Sequence, residues 1–171
     1  PHDEHLREIR SGYSLAFDLL MDYGSFRDLH RHRRCIQIAQ ELTAGHGFDP
    51  AETVFPLAFG AELGERLLAS GVGADYERRL AEAGETVDAV AREAPDVAPY
   101  LLPLAYRQRA LFKLDDAEAA YIIEQRTAPA GHFSYRSVAY QMWQELQAHR
   151  PAIAALTRVT NPHEVFDLLT R

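Results

Sequence analysis

The chain has 171 residues, of which 47% are apolar and 25% charged. These are the proportions of a globular protein of about one ordinary domain, and they exclude disordered, collagen and coiled-coil classes for the chain as a whole. Only Lys113 among 18 basic residues is a lysine, and 25 acids bring the net charge to −7, so most of the surface should repel nucleic acid and acidic membranes. Against that background Arg27, Arg31, Arg33 and Arg34 crowd into one short run. Cys35 is the only cysteine, which excludes an internal disulfide and a Cys-based zinc site and fits a reducing, cytoplasmic compartment. No run approaches the ~18–20 apolar residues of a membrane span. The start, Pro1-His-Asp-Glu, is polar and lacks Met, so a signal peptide is not expected and an upstream segment or domain is.

Leu6, Ile9, Tyr13, Ala16, Phe17, Leu20 and Tyr23 step by three and four, predicting a helix over about residues 3–23. Gly24-Ser25 interrupts it, with Ser25 expected to cap a short helix carrying Phe26 and Leu29. From Cys35 to Leu42 the pattern alternates, with Ile36, Ile38 and Leu42 on one face, which predicts a strand. Residues 43–52 read as a loop. A helix is expected from Leu57 to about Ser70, ended by Gly71 and Gly73, and a stronger one over 74–94, stopped by Pro95. Tyr106, Gln108, Ala110, Phe112 and Leu114 alternate again as a second strand. Asp115-Asp116 caps a helix to about Thr127, and Pro129 and Gly131 break it. Tyr135, Val138, Ala139, Met142 and Leu146 line a further helix, and Asn161-Pro162 opens a last short one. The expected fold is α+β, mostly helical with a small antiparallel sheet, as one domain over 1–171.

Two places concentrate chemistry. The first is His30-Arg31-His32-Arg33-Arg34, where planar, always-charged guanidinium forks suit phosphate or carboxylate. The same run reads equally as a solvated surface. His30 and His32 share a face only in a strand, and no third metal ligand accompanies them. The second runs from Glu124 to Arg136: Arg126 ends one helix, Arg136 begins the next, and His132 and Tyr135 lie between. A break between helices is where side chains and helix N-terminal N–H groups meet anions, or where arginines simply pair with nearby acids. No Ser/His/Asp order, glycine-rich phosphate loop or HExxH helix is present, and Cys35 reads as a small buried residue.

At these two places the sequence resembles the flavin-dependent thymidylate synthases. Arg31-His32-Arg33 matches that family's Arg-His-Arg triplet. Gln125-Arg126, the spacers 127–130 and the block Gly131–Arg136 keep the register of the family's later Leu-Arg signature. Leu101-Leu102-Pro103 before the second strand matches its order of elements, and the resemblance covers roughly residues 10–150. It implies FAD held by Arg31, His32 and Arg33. A small-molecule nucleotide, dUMP, would be held by Arg126, with Arg136 and His132 beside it. NADPH and methylenetetrahydrofolate are the family's co-substrates, and its members are homo-oligomers, tetramers with flavins at subunit interfaces. The family activity is reductive methylation of dUMP to dTMP, with no protein nucleophile required.

The departures are specific. Counted from the triplet, the family's Ser, Asn and Glu positions are Ile36, Ile38 and Ala39, its second Ser is Glu41 and its Arg-Tyr pair is Thr43-Ala44. Its Asn-Leu-Arg positions are Asp115, Asp116 and Ala117, and its His or Asn one turn later is Tyr121. Two alternatives stand beside the enzyme: a non-catalytic structural or oligomerisation domain of the same fold, and a nucleic-acid module using Arg27–Arg34, against which the overall charge argues.

Overall fold

The computed structural model describes Gly12 and residues 15–163. Three strands, β1 (Leu15–Asp22), β2 (Ile36–Ala39) and β3 (Arg107–Leu114), form one antiparallel sheet in the order β1-β3-β2. Seven helices accompany it among the described residues: α1 (Tyr23–Leu29), α2 (Ala51–Phe59), α3 (Ala61–Ala69), α4 (Val72–Glu93), α5 (Asp116–Thr127), α6 (Phe133–His149) and α7 (Pro151–Leu156). The fold is therefore α+β and mostly helical, as the sequence predicts.

The first element differs from expectation. Residues 15–22 form a strand where a helix is predicted, because Leu15, Phe17, Leu19 and Met21 alternate inward. The run is apolar enough to satisfy both periods, and pairing with β3 selects the period of two. The remainder of the predicted helix lies outside the described residues. The cap moves as well: α1 starts straight from β1, and Asp22 accepts from the Ser25 N–H (2.9 Å) and the Ser25 hydroxyl (2.6 Å).

The chain divides into two compact units, Pro1–Leu19 with Arg27–Ile38 and Ala110–Arg171, and Leu20–Phe26 with Ala39–Arg109. The first is organised by α5, which is buried on nearly all sides. Ala117, Ala119, Ala120, Ile122 and Ile123 lie at 3% exposure or less, and the helix packs on α6 and α7. Phe112 and Leu114 of β3, and Ala139, Met142 and Leu146 of α6, complete this core. Asp115 caps α5, its Oδ1 accepting from the Glu118 N–H at 2.8 Å. The predicted terminal helix from Asn161 falls largely beyond the described residues, and α7 goes unpredicted.

In the second unit the expected 57–70 helix is two helices parted at Gly60, whose φ of +81° glycine adopts without a Cβ penalty. Gly71 likewise sits at φ +85° before α4, while Gly73 is helical. Val87, Ala98, Leu102 and Tyr106 form a core cluster with Leu42, Phe48, Leu80 and Val90 against it. Tyr106 donates its hydroxyl to the Leu80 carbonyl at 2.7 Å, across the Cα of Gly84. A Cβ at residue 84 would lie 2.1 Å from that hydroxyl oxygen.

In an open helix interior Gly→Ala stabilises by about 1 kcal/mol. Gly84→Ala is expected to destabilise instead, by roughly 1–3 kcal/mol, because it overpacks against Tyr106. Tyr106→Phe removes the obstructing oxygen, so the double variant should recover most of that loss relative to Tyr106→Phe alone. Urea denaturation of the four chains measures the coupling.

Candidate functional site

Within the first unit, the segment after α1 turns sharply at His32. The His32 N–H donates to the Leu29 carbonyl at 3.0 Å. Its own carbonyl accepts from Cys35 Sγ at 3.0 Å and Gln37 Nε2 at 2.7 Å. The turn presents the triplet alternately: His32 is buried, Arg31 and Arg33 are exposed.

The His32 ring meets α5 on both of its nitrogens. Arg126 Nε donates to His32 Nε2 at 2.9 Å, and Arg126 Nη2 donates to the Asp28 carbonyl at 2.8 Å. That carbonyl lies in the last turn of α1, where a cation is favoured. The guanidinium also sits over the Tyr135 ring, 5.3 Å from its centroid. Nδ1 of His32 faces Glu118 Oε1 at 3.8 Å, and the Tyr121 ring approaches edge-on at 5.7 Å. Arginine donates only, so Nε2 carries a lone pair and Nδ1 the proton. Burial first, then the Arg126 charge, lowers the His32 pKa from 6.5 to about 4. At neutral pH His32 and Glu118 are therefore a neutral imidazole facing a carboxyl group, not an ion pair. Burial pushes the Glu118 carboxyl up, against the pull of Arg34. Arg34 itself pairs with Asp115. Burial also raises the Cys35 thiol, which keeps it protonated and makes it a poor nucleophile.

The other predicted residues fall elsewhere in this unit. Arg31 is exposed, 3.7 Å from Asp28. Arg136 is buried and its Nε donates to the Thr127 carbonyl at 3.1 Å, fastening the end of α5. His132 is exposed and caps α6, accepting from the Ser134 N–H at 3.3 Å, with its ring tilted against Phe133 and Tyr135. The fold thus brings His32 to Arg126, links His132 to Arg126 only through Tyr135, and turns Arg136 to a carbonyl. Among the described residues no three His, Cys, Asp or Glu side chains converge as a metal site.

The donor set fits a flavin cofactor in its diphosphate chemistry. Arg31 and Arg33 carry exposed forks on either side of an anchored His32, and two guanidinium groups suit a diphosphate. Arg126 offers less than a full fork, since Nε and Nη2 are engaged; among the described residues Nη1 has no partner. Glu118 is the site residue that sequence reasoning misses. An acid three positions after an Asp cap reads as helix-start chemistry, and nothing local signals that it faces a histidine 86 positions earlier.

Folded His32 binds its proton only near pH 4, whereas unfolded histidine does so near 6.5. The unfolded state then holds more protons between these values, and stability falls with falling pH through that window. Relative to a His32→Gln variant, the wild-type chain should lose up to roughly 3 kcal/mol from about pH 6.5 to 4 and little more below. Urea midpoints of both chains across the window check this.

Comparison with known proteins gives the family. A family profile described as thymidylate synthase complementing protein matches residues 11–152. A UPF0159 protein of Chlamydia pneumoniae is 33% identical over 136 residues, covering 80% of this chain and 23% of that protein. UPF0159 proteins of Chlamydia muridarum and Thermoplasma acidophilum are 31% and 30% identical, over 87% and 84% of this chain and 26% of each relative. The chain spans about a quarter of the length of these relatives. With the matched region running through the His32 turn, α5 and α6, the chain belongs to the thymidylate synthase complementing protein family.

Proposed function

We propose that the chain is a divergent flavin-dependent thymidylate synthase domain that binds FAD and a uridine nucleotide. The family reaction is reductive methylation of dUMP, with methylenetetrahydrofolate giving the carbon and NADPH the hydride. The observation that carries this reading is the contact of its two motifs, His32 Nε2 to Arg126 Nε at 2.9 Å. Two segments far apart in sequence meet as a pair of family motifs would. When bound, the flavin supplies the redox chemistry. The residues of this chain bind and orient: Arg31 and Arg33 hold the flavin diphosphate around the anchored His32. Arg126 gives Nη1 to the nucleotide anion, and His132 lies at the same edge beside Tyr135. Arg136 acts indirectly, by fixing the end of α5. The working form is a cytoplasmic homo-oligomer, a tetramer as in the family.

A second reading, a non-catalytic structural domain, is favoured by one observation in the second unit. Glu41 and Thr43, at the family's second Ser and its Arg, line a cavity of about 620 Å³ with Asp88 and Asp96 and no basic residue. A phosphate there would meet carboxylates.

The two readings part on colour and affinity. The purified chain mixed with FAD and desalted should retain absorption near ~450 nm, a property of the cofactor. Arg126→Ala should weaken dUMP binding by roughly 10- to 150-fold, the equivalent of one charged hydrogen bond. A chain that stays colourless and takes up no dUMP by calorimetry, while still forming stable oligomers, establishes the structural reading instead.

A further inference from the structure

The Glu118 side chain makes no hydrogen bond to its own helix among the described residues. Asp115 caps α5, and an acid at the third helical position normally reaches back to the N–H of the capping residue. Among the described residues no such bond forms: the Glu118 side chain faces His32 Nδ1 at 3.8 Å instead. It is 5% exposed, and burying a carboxylate is costly unless a polar partner compensates. No other polar atom among the described residues pairs with Nδ1; Tyr121 offers only a ring edge, and Cys35 and Gln37 bind the His32 carbonyl. The opposite nitrogen is the one Arg126 uses.

We propose that Glu118 is a positioning residue for Arg126. Its carboxylate, facing Nδ1, holds His32 as the Nδ1–H tautomer, so that Nε2 stays a lone-pair acceptor for Arg126 Nε. The guanidinium is then fixed with Nη1 left for a ligand anion. A carboxylate behind a histidine fixes tautomer and orientation in the same way when the histidine faces a metal. That the anion is a nucleotide rests on the function proposed above; the positioning does not. Arg34 contributes by pairing with Asp115, which lessens the repulsion that a second carboxylate on this turn exerts on Glu118.

The test is nitrogen NMR of the 171-residue chain labelled in histidine and arginine. Wild type should show His32 protonated at Nδ1 and a slowly exchanging Arg126 Nε–H. In Arg126→Met the Nδ1–H form should persist, because Glu118 sets it; a switch to Nε2–H would mean that Arg126 sets the tautomer and overturns the proposal. Glu118→Leu should populate the Nε2–H form and speed exchange of the Arg126 Nε–H at least tenfold. Glu118→Gln, whose amide oxygen keeps an acceptor facing Nδ1–H, should restore both. Wild-type behaviour in Glu118→Leu overturns the proposal, and should that variant not fold, the Arg126→Met result decides alone. Titration with dUMP separates the two claims. Wild-type chain that binds no dUMP removes the nucleotide reading and leaves the tautomer result standing. Wild-type chain that binds it should lose about tenfold in affinity on Glu118→Leu and recover on Glu118→Gln.

Discussion

A guanidinium can only donate hydrogen bonds, and an imidazole that accepts one must be neutral. That constraint governs the His32 turn. Arg126 reaches His32 from the far end of α5 and meets a neutral ring at Nε2, while Nδ1 on the other side faces Glu118. Nothing at this contact works with His32 protonated: two cations would face each other in a half-buried space, and Arg126 would lose an acceptor. Desolvation and the Arg126 charge both act on the histidine in this direction. The neutral ring is thus a product of packing, and the triplet is more a fastened turn with two outward arginines than a uniform basic patch.

The fastening depends on α5 being held at both ends. Its start is fixed by Asp115, which caps the helix and pairs with Arg34 from the His32 segment. Its end is fixed by Arg136 on the Thr127 carbonyl and by the Thr127 hydroxyl on the Ile123 carbonyl at 2.8 Å. Between them the small and branched side chains Ala117, Ala119, Ala120, Ile122 and Ile123 leave no room for the helix to rotate without exposing apolar surface. Glu118 and Arg126 lie eight residues apart, about 12 Å of helix rise, and one histidine addresses both because the arginine side chain is long enough to return along the axis.

What the sequence revealed follows from where one period dominates. Tyr106, Gln108, Ala110, Phe112 and Leu114 alternate with exposed or charged residues, and all five are buried. Asp115 before an alanine-rich run is a cap by chemistry alone. Residues 15–21 read Leu-Ala-Phe-Asp-Leu-Leu-Met, where Ala16, Phe17 and Leu20 suit a helix as well as Leu15, Phe17, Leu19 and Met21 suit a strand. Only partnership with β3 decides, and partnership is not local. The site divides the same way. The arginines announce themselves, but which are outward and which are engaged depends on contacts 94 and 98 positions apart in the chain. Arg136 reads from the sequence as an anion ligand, and nothing local signals that its Nε donates to the Thr127 carbonyl, one of the last carbonyls of α5, which a helix end leaves without intrahelical partners.

The acids at positions where the family keeps neutral or basic groups have two different consequences. Asp115 is absorbed into the fold as cap and partner of Arg34, so its charge is neutralised where it stands. Glu41 is not: it is exposed and shares its cavity lining with Asp88 and Asp96. Charge that has been compensated says little about ligands, whereas uncompensated charge repels an incoming phosphate at short range with little screening. The two segments therefore differ in charge: Arg31 and Arg33 are exposed guanidinium groups in the first unit, and the 41–44 segment of the second carries Glu41 and no basic residue. A phosphate at the 41–44 segment would meet the Glu41 carboxylate and no side-chain cation.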